Sequence, residues 1–382
     1  MDKIVFFHPI DDYYGATRIL SYTINVLSEH YEIEVWTRKD NGALKSMIDR
    51  SVSIKQVSFM PIVHSKMFNI KELSNFLVCN FRFFSFMKSE LSLSDTVYIN
   101  TFAAITCSLL AKLNGFRNVI HCHEEQGHKF LGRLMAFQAR LTADKIISVS
   151  NVVENYVSGG KVCRKSLVIW NGIPDIQQPI NLEHSKNSFD RKFRLIIVAR
   201  LTKEKGYWLL AEAVRLLPSD ILDDIEIHCV GDAPINKPEL FDEFKHHLQS
   251  CNVSRAFVLH GFQKNVDTYR DNADVVLIPS VMVDPFPTTV LEAMRSGKCL
   301  ITTDHGGAAE IVKNNENGLL FRYNSPSSLS NLIAYLYRNR EDVNRLGKNA
   351  RKTYQNQLTI DVYSSNIKNF LAKFLKEGKR SC

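Results

Sequence analysis

The chain has 382 residues, which is more than one ordinary hydrophobic core accommodates and suits two domains. An apolar fraction of 45% and a charged fraction of 23% are typical of globular proteins and argue against a disordered or fibrous chain. The net charge of +8 favours anionic partners such as nucleotides or phospholipid surfaces. Since no nucleic-acid module or dense basic arm is present, we expect no nucleic-acid partner.

Cysteine usage and the absence of long apolar runs indicate a cytoplasmic protein. The eight cysteines are scattered without a Cys-x-x-Cys pair, so reduced thiols are the simplest interpretation. Residues 1–3 lead directly into a strand-like run, and we therefore expect no signal peptide. No run approaches the apolar length of a membrane span.

The first half alternates strand-like runs with helical patterns. Strands are predicted at residues 3–8, 32–37, 96–100, 118–123, 145–150 and 167–173, and helices at residues 18–28 and 73–91. Gly15 and Ala16 stand between the first strand and the first helix, where a glycine lets a ligand approach the backbone closely. This is not a GxGxxG fingerprint, and by itself the signal is weak.

The helix at residues 73–91 has two interpretations. Its residues Leu73, Phe76, Leu77, Phe81, Phe84 and Leu91 keep helical spacing and predict a core face. Phe83, Phe86 and Met87 lie off that face, with Arg82 and Lys88 between them. A basic helix with such aromatic residues is also typical of a peripheral membrane contact, so attachment at the inner face of the plasma membrane through residues 76–88 is a second hypothesis.

Histidines close the fourth predicted strand. His121 and His123 share a face of the strand, and with His128 a metal site is conceivable. Glu124 and Glu125 follow at no recognised ligand spacing, which favours substrate contact by a histidine at the carboxyl end of a strand.

A second alternating set follows a polar, proline-bearing linker at residues 174–192. Strands are predicted at residues 194–199, 225–230, 256–260, 274–280, 299–303 and 318–321, with helices between them. The alternation predicts an α/β fold of two facing Rossmann-like parallel-sheet domains with a cleft between them. Ligands bind such sheets at the carboxyl ends of the strands.

The turn at residues 284–292, Asp-Pro-Phe-Pro-Thr-Thr-Val-Leu-Glu, leads from a buried strand into a helix. Pro287 suits the first helical position, and the amides of Thr288, Thr289 and Val290 would then be free to bind an anion. Asp284 and Glu292 flank this position, and carboxylates beside a phosphate accept hydrogen bonds from sugar hydroxyls. An ordinary βα turn with solvated carboxylates is the alternative.

Three other features fall on the same predicted sheet edge. They are Arg200 with Lys205, Gly231, and the pair Gly306 and Gly307. Two cations, a free helix N-terminus and glycines that permit close approach are typical of a diphosphate site. Taken singly, each cation is explained by surface solubility and each glycine by a tight turn.

These motifs resemble the retaining glycosyltransferases of family 4, which have the GT-B fold. The resemblance lies in Arg-Leu-Thr-Lys-Glu-Lys-Gly at 200–206, Val-Gly-Asp at 230–232, His-Gly-Phe at 260–262, Asp-Pro-Phe-Pro-Thr-Thr-Val-Leu-Glu-Ala-Met at 284–294, Gly-Gly-Ala-Ala-Glu-Ile-Val at 306–312 and Asn-Gly-Leu-Leu at 317–320. It covers most of the second half. The first half is similar more loosely, through Gly15-Ala16, His123-Glu124, Ser150 and Asn171-Gly-Ile173.

The resemblance implies roles for individual residues. Arg200 and Lys205 would hold the donor diphosphate, Glu292 would bind the ribose, and His123 would contact the transferred sugar. The remaining expected donor contacts are Gly15, Ala16, Asn171, Gly231, Phe286, Thr288, Thr289 and Val290. Asp284 stands where the family has the first glutamate of its pair, and Pro287 where it has glycine.

The resemblance also implies the reaction and the domain limits. The expected reaction is transfer, with retention, from a nucleotide sugar to a glycan or an undecaprenyl-type lipid-linked acceptor in polysaccharide synthesis. No Asp-x-Asp occurs in the chain, so no metal and no other cofactor is expected. The expected domains are residues 1–175 and 176–360, with a helix at 361–382 returning to the first domain. Alternatives on this scaffold are a sugar-nucleotide epimerase, a phosphorylase or a non-catalytic binding subunit.

Overall fold

The computed structural model describes residues 2–11, 15–63, 69–124, 129–176 and 191–379. Contacts divide the chain into two units, of which the first comprises Met1–Ile173 with Ile360–Cys382 and the second Pro174–Thr359. Each unit is built on its own parallel sheet. Among the described residues, no helix combines the length and the apolar composition that crossing a bilayer requires.

Seven described strands form the sheet of the first unit. They are β1 (Lys3–Phe7), β2 (Glu32–Thr37), β3 (Ser53–Gln56), β4 (Thr96–Ile99), β5 (Arg117–Cys122), β6 (Lys145–Ser148) and β7 (Ser166–Val168). Their order is β3-β2-β1-β4-β5-β6-β7, and each pairing is parallel. Sequence patterns missed β3, because Ile54 is its only apolar residue. They also extended β7 too far, since its pairing with β6 ends at Val168.

Five helices connect these strands. They are α1 (Gly15–Ser28), α2 (Ile70–Glu90), α3 (Ile105–Leu113), α4 (Lys129–Thr142) and α5 (Asn151–Ser158). The first helix begins at Gly15, three residues before the start predicted from its apolar pattern. The Ser150 hydroxyl caps α5 by accepting a hydrogen bond from the Val153 amide at 3.2 Å, as expected of a serine at a helix start.

The predicted core face of α2 is wrong. Phe83 and Met87 are the buried residues of this helix, whereas Phe81 is 74% exposed. The ring of Phe83 packs edge-on against Phe7 of β1 and Trp36 of β2, at centroid distances of 5.3 and 6.0 Å. Helical spacing alone did not identify this face, because apolar residues occur all around α2 and the large aromatic residues of the sheet decide which of them are buried.

Six described strands form the sheet of the second unit. They are β8 (Phe193–Val198), β9 (Ile225–Val230), β10 (Phe257–Gly261), β11 (Val275–Ile278), β12 (Cys299–Thr303) and β13 (Leu319–Phe321). Their order is β10-β9-β8-β11-β12-β13, again with parallel pairings. Every residue of β11 and β12 is buried, as expected for central strands covered on both faces.

The helices of the second unit alternate with its strands and then extend the chain. They are α6 (Tyr207–Arg215), α7 (Ser219–Asp224), α8 (Glu239–Ser250), α9 (Asp267–Asp271), α10 (Thr288–Arg295), α11 (Ala308–Ile311), α12 (Pro326–Arg338) and α13 (Arg340–Gln357). The observed alternation confirms the predicted α/β class of two Rossmann-like parallel sheets.

The final helix, α14 (Ile360–Lys379), belongs to the first unit. It packs against α1, and its Ile367, Leu371 and Phe374 are buried in the core formed by β1, β2 and α1. The hydroxyls of Tyr363 and Thr23 lie 2.6 Å apart within that contact. Burial of this apolar face explains why the chain returns to the first sheet after the second unit is complete.

Candidate active site

The order of strands in the second unit defines where a ligand binds. The chain runs from β8 through β9 to β10 toward one edge of the sheet, and from β11 through β12 to β13 toward the other edge. The two strands from which these directions diverge, β8 and β11, are neighbours. In open parallel sheets the loops that follow such a pair of strands enclose a crevice that binds ligands. The loop after β8 carries Arg200 and Lys205, and the loop after β11 carries Asp284.

An ion pair joins these two loops. Lys205 Nζ lies 2.7 Å from Asp284 Oδ2, and both side chains are half-buried. The loops are also joined through their backbones, because the Val281 amide donates to the Glu204 carbonyl at 2.9 Å. The Lys205 ammonium is therefore held in a defined position at the edge of the sheet, while Arg200 is exposed on the same loop.

Glycines let neighbouring backbones fix the path of both loops. The Gly307 amide donates to the Asp284 carbonyl at 2.8 Å, and a Cβ at Gly307 would lie 1.8 Å from the Pro285 carbonyl oxygen. Gly231 has a φ of +139°, and a Cβ there would lie 1.9 Å from the Ala199 carbonyl oxygen. A side chain at either position would displace a loop, so these glycines serve backbone packing.

The turn into α10 leaves two amides available. Pro287 caps the helix with φ −68° and ψ 119°, so the prediction that it takes the first helical position is wrong by one residue. Its carbonyl accepts the Val290 amide at 3.1 Å, so the prediction that this amide is free is also wrong. No acceptor for the Thr288 and Thr289 amides is found among the described residues. These two amides can therefore bind an anion at the positive end of α10.

Glu292 lies one helical turn further along α10 and is held by a buried arginine. Arg270 of α9 is 2% exposed, and its Nη2 lies 2.6 Å from Glu292 Oε2. The same guanidinium also pairs with Asp267, which in turn accepts from Arg295 at 3.0 Å. This arrangement orients the Glu292 carboxylate and makes it part of a charge network that the sequence patterns did not reveal.

In the first unit, a hydrogen-bond chain follows the ends of β1, β4 and β5. His123 Nε2 lies 3.1 Å from Asn100 Oδ1, and Asn100 Nδ2 lies 3.3 Å from His8 Nδ1. His8 Nε2 lies 3.0 Å from the Thr17 hydroxyl on α1. Since Asn100 donates to His8 and accepts from His123, both imidazoles carry their proton on Nε2.

Burial keeps His121 and His123 neutral. Burial, reinforced by the neighbouring His8, lowers the pKa of His123 to about 3. Burial and then the adjacent His123 hold the pKa of His121 well below its ordinary value. His121 is fully buried with its Nδ1 2.8 Å from the Tyr98 hydroxyl, and its ring lies 4.1 Å from that of His123. His128 of the conceivable metal site lies outside the described residues.

The other first-unit candidates follow β1 and β7. Gly15 opens α1 and Ala16 follows it, both half-buried. Asn171 is 4% exposed, and among the described residues no hydrogen-bond partner is found for its Oδ1. A buried amide oxygen without a partner is costly, so Asn171 is well suited to bind a ligand donor.

The chain is similar to known proteins in sequence and in structure. The family model described as glycosyl transferases group 1 matches residues 180–353. An uncharacterised glycosyltransferase of Methanocaldococcus jannaschii is 28% identical over 224 residues, which are 58% of this chain and 57% of that relative. An Escherichia coli protein, named UDP-Gal:alpha-D-GlcNAc-diphosphoundecaprenol alpha-1,3-galactosyltransferase, is 23% identical over 93% of this chain and 92% of its own length.

The second half of the chain is thus similar to glycosyl transferases group 1.

The whole chain has the GT-B fold of such enzymes. The crystal structure of Anabaena HepE in complex with UDP and glucose superposes with a TM-score of 0.78, at 20% identity, over 97% of this chain and 100% of that one. This likeness confirms the predicted fold, and the family match confirms that the motifs indicated a resemblance to glycosyltransferases.

The second unit brings most of its predicted site residues to one edge of its sheet. Arg200, Lys205, Asp284 and the α10 amides follow the neighbouring strands β8 and β11, and Phe286 is buried beneath the turn. Sequence reasoning missed Arg270, the partner of Glu292. In the first unit it missed His8, Thr17 and Asn100. The polar residues His8 and Asn100 directly follow apolar strands, and this is the signal that could have found them.

Proposed function

We propose that the protein is a retaining glycosyltransferase that moves a sugar from a nucleoside diphosphate sugar to a glycan or lipid-linked glycan in bacterial surface polysaccharide synthesis. The observation that carries this proposal is the Lys205–Asp284 ion pair beside the α10 amides, at the ligand-binding edge of a group 1 domain. The name of the Escherichia coli relative, which includes a UDP-sugar and a diphosphoundecaprenol acceptor, supports the donor and acceptor classes.

The proposed role of the second-unit site is to stabilise the leaving diphosphate. Negative charge grows on that group as the bond from the sugar carbon to the phosphate oxygen breaks. The Lys205 ammonium, the Arg200 guanidinium and the amides of Thr288 and Thr289 would neutralise this charge without a metal ion. Asp284 would act by holding Lys205 in place before the donor arrives.

Two further residues complete the proposal. With its carboxylate oriented by Arg270, Glu292 would accept hydrogen bonds from the ribose hydroxyls. His123 would meet the transferred sugar as a neutral imidazole. Because its Nε2 proton is donated to Asn100, its Nδ1 is the nitrogen that can accept a hydrogen bond from a sugar hydroxyl.

We also propose a peripheral membrane contact. Of the residues 76–88 named from sequence, Phe83 is buried in the core and Phe86 packs against Trp36, whereas Phe81 is exposed. Exposed apolar residues also follow α4 at Phe130, Leu134, Phe137 and Leu141, and we propose this stripe as the main contact. Neither α4 nor the adjacent α3 contains an acidic residue, which fits an anionic lipid surface.

Thermal-shift measurements with nucleotides test the donor site. We expect one of UDP, GDP or ADP to raise Tm, and EDTA to leave that shift unchanged, because the positive charge comes from side chains. Lys205→Ala should abolish the shift, and Asp284→Asn should weaken it by freeing the Lys205 side chain. Lys203→Ala removes an exposed lysine from the same loop and is the matched control.

The transfer reaction is then measured with the stabilising nucleotide's sugar conjugate. We expect Lys205→Ala to lower kcat by about 10²-fold or more, as for loss of one preorganised charge-stabilising group. If a nucleotide raises Tm but no sugar is transferred to any glycan or lipid-linked acceptor, the result favours a non-catalytic binding subunit. Absence of any nucleotide shift would overturn the diphosphate site itself.

A further inference from the structure

A second candidate site lies in the second unit, between α6 and α8. Glu212 projects from α6, His247 from the last turn of α8, and Cys251 directly follows α8. The four-residue spacing places His247 and Cys251 on one face of the helix, opposite Glu212. None of these residues takes part in the proposed donor site.

The three side chains converge on one point. Cys251 Sγ lies 3.4 Å from Glu212 Oε1 and 3.7 Å from His247 Nε2, and His247 Nε2 lies 3.5 Å from Glu212 Oε1. Zinc bonds of about 2.0–2.3 Å to oxygen, nitrogen and sulfur in a tetrahedral arrangement require ligand atoms about 3.3–3.6 Å apart. The observed separations match this requirement closely, with only small movements needed.

The surroundings prepare the carboxylate for a cation. Arg215 binds Glu212 Oε2 through Nε at 3.0 Å and Nη2 at 2.9 Å, which leaves Oε1 turned toward the histidine and the cysteine. Cys251 is buried, while His247 and Glu212 are partly accessible, so an ion can enter from solvent.

We propose that Glu212, His247 and Cys251 bind a zinc ion, with water as the fourth ligand. A thiolate, an imidazole and a single carboxylate favour zinc over magnesium or calcium, which prefer oxygen ligands only. On binding, the Cys251 thiol releases its proton to solvent and forms a zinc–sulfur bond, with no change in oxidation state. The ion replaces the present hydrogen bond from the Cys251 thiol to Glu212.

Bound zinc would link α6 to α8 and stabilise the second unit. The two helices are already joined by Trp208 of α6, whose ring lies 5.2 Å from that of Phe244. The turn that carries Lys203 and Lys205 immediately precedes α6. A ligand that binds the folded unit alone raises its stability by mass action, so zinc should raise Tm in proportion to the logarithm of its concentration.

Cobalt(II) spectroscopy on the full chain tests the site. After removal of metal, one equivalent of Co²⁺ should give a thiolate charge-transfer band in the near ultraviolet, and Zn²⁺ should displace it. Cys251→Ser should abolish the band, and His247→Ala should weaken Co²⁺ binding by at least about tenfold, since even outer-shell changes cost that much. The matched controls are His246→Ala, which removes the exposed neighbouring histidine, and Cys163→Ser. Each should keep the thiolate band and the Co²⁺ binding of the wild-type protein.

Contrary outcomes are equally defined. The proposal is overturned if the wild-type protein gives no thiolate band, if the band persists in Cys251→Ser, or if His246→Ala loses binding as His247→Ala does. Tm measured without metal shows whether each variant is folded, and Glu212→Gln, which keeps the side-chain volume, should fold but lose the zinc-dependent rise. EDTA would remove zinc from this site. Repeating the nucleotide test in Cys251→Ser, which lacks the zinc site, therefore distinguishes failure of the donor site from failure of the zinc site.

Discussion

Individual residues at the sheet edges are positioned by close polar contacts. Arg200, Lys205, Asp284 and His123 were predicted as site residues, because each follows a strand or matches a motif. The contacts that hold them were not predicted. Lys205 meets Asp284 across 79 positions of sequence, and His123 meets Asn100 across 23. Such pairs depend on strand order, which a single sequence does not specify.

The low pKa of His123 predicts a loss of stability in acid. Its pKa is about 3 when folded and about 6.5 when unfolded, so between these values the unfolded chain binds more protons. The contribution of neutral His123 to the free energy of unfolding is complete above about pH 6.5 and is lost as the pH falls toward 3. Over this range the free energy of unfolding changes by up to about 1.4 kcal/mol per pH unit. Unfolding by urea should therefore show a shallower dependence on pH below 6.5 in His123→Gln than in wild type.

Exposed His246 provides the control for that measurement. His246→Ala should keep the wild-type slope, because its imidazole is exposed in the folded unit and gains no protein environment on folding. Equal slopes for His123→Gln and wild type would show that His123 titrates normally in the folded protein.

At the scale of secondary structure, helix faces were harder to predict than helix positions. The strands of both sheets were found within a few residues, except β3, because buried parallel strands are continuous apolar runs. The buried face of α2 was assigned wrongly, since its aromatic residues surround the helix. The short α9, which positions Arg270, has too few residues for a periodic pattern to identify its role.

The contact between α9 and α10 predicts a stability role for Glu292 beyond any ligand. Glu292→Ala leaves the buried Arg270 with only its more exposed partner Asp267, so this change should lower the free energy of unfolding by up to about 3 kcal/mol. Urea unfolding measures this change. Glu316→Ala removes an exposed glutamate of the same unit and should change stability little.

A companion variant separates charge from packing at this contact. Arg270→Met in the Glu292→Ala background should restore part of the loss, since no buried charge then remains unpaired. If Glu292→Ala is as stable as Glu316→Ala, the ion pair does not stabilise the unit and Glu292 is held for its ligand alone.

For the whole molecule, sequence predicted two Rossmann-like units and the return of the final helix to the first one. Alternation of strands and helices predicts the two units, and the polar linker marks the change between them, whereas the return of the final helix was implied only by the family resemblance. The membrane contact stays a prediction. Sequence patterns named a part of α2 that is exposed at Phe81, but they did not reveal the apolar stripe of α4, where Phe130 is 78% exposed.

Vesicle sedimentation tests the membrane contact. Phe130→Gln with Phe137→Gln should reduce binding to vesicles that contain phosphatidylglycerol, because it removes the aromatic part of the apolar stripe. Vesicles of phosphatidylcholine alone should bind less of the wild-type protein, and added salt should weaken binding. The control is Val162→Gln with Ile235→Gln, two exposed apolar residues elsewhere; if it lowers binding equally, the α4 stripe is not the contact.

The backbone packing around Gly307 bears on how selectivity for donor sugars can change in such a domain. The path of residues 284–287 is set by an adjacent loop that presses on their carbonyls. The backbone of this turn thus keeps its path through contacts that do not involve the side chains at 284 and 287. Aspartate at 284 has a shorter side chain than the glutamate of the family, and proline at 287 is more rigid than the family's glycine. Both differences act on the same backbone path. Randomising these two positions should therefore alter donor choice more readily than it disrupts folding.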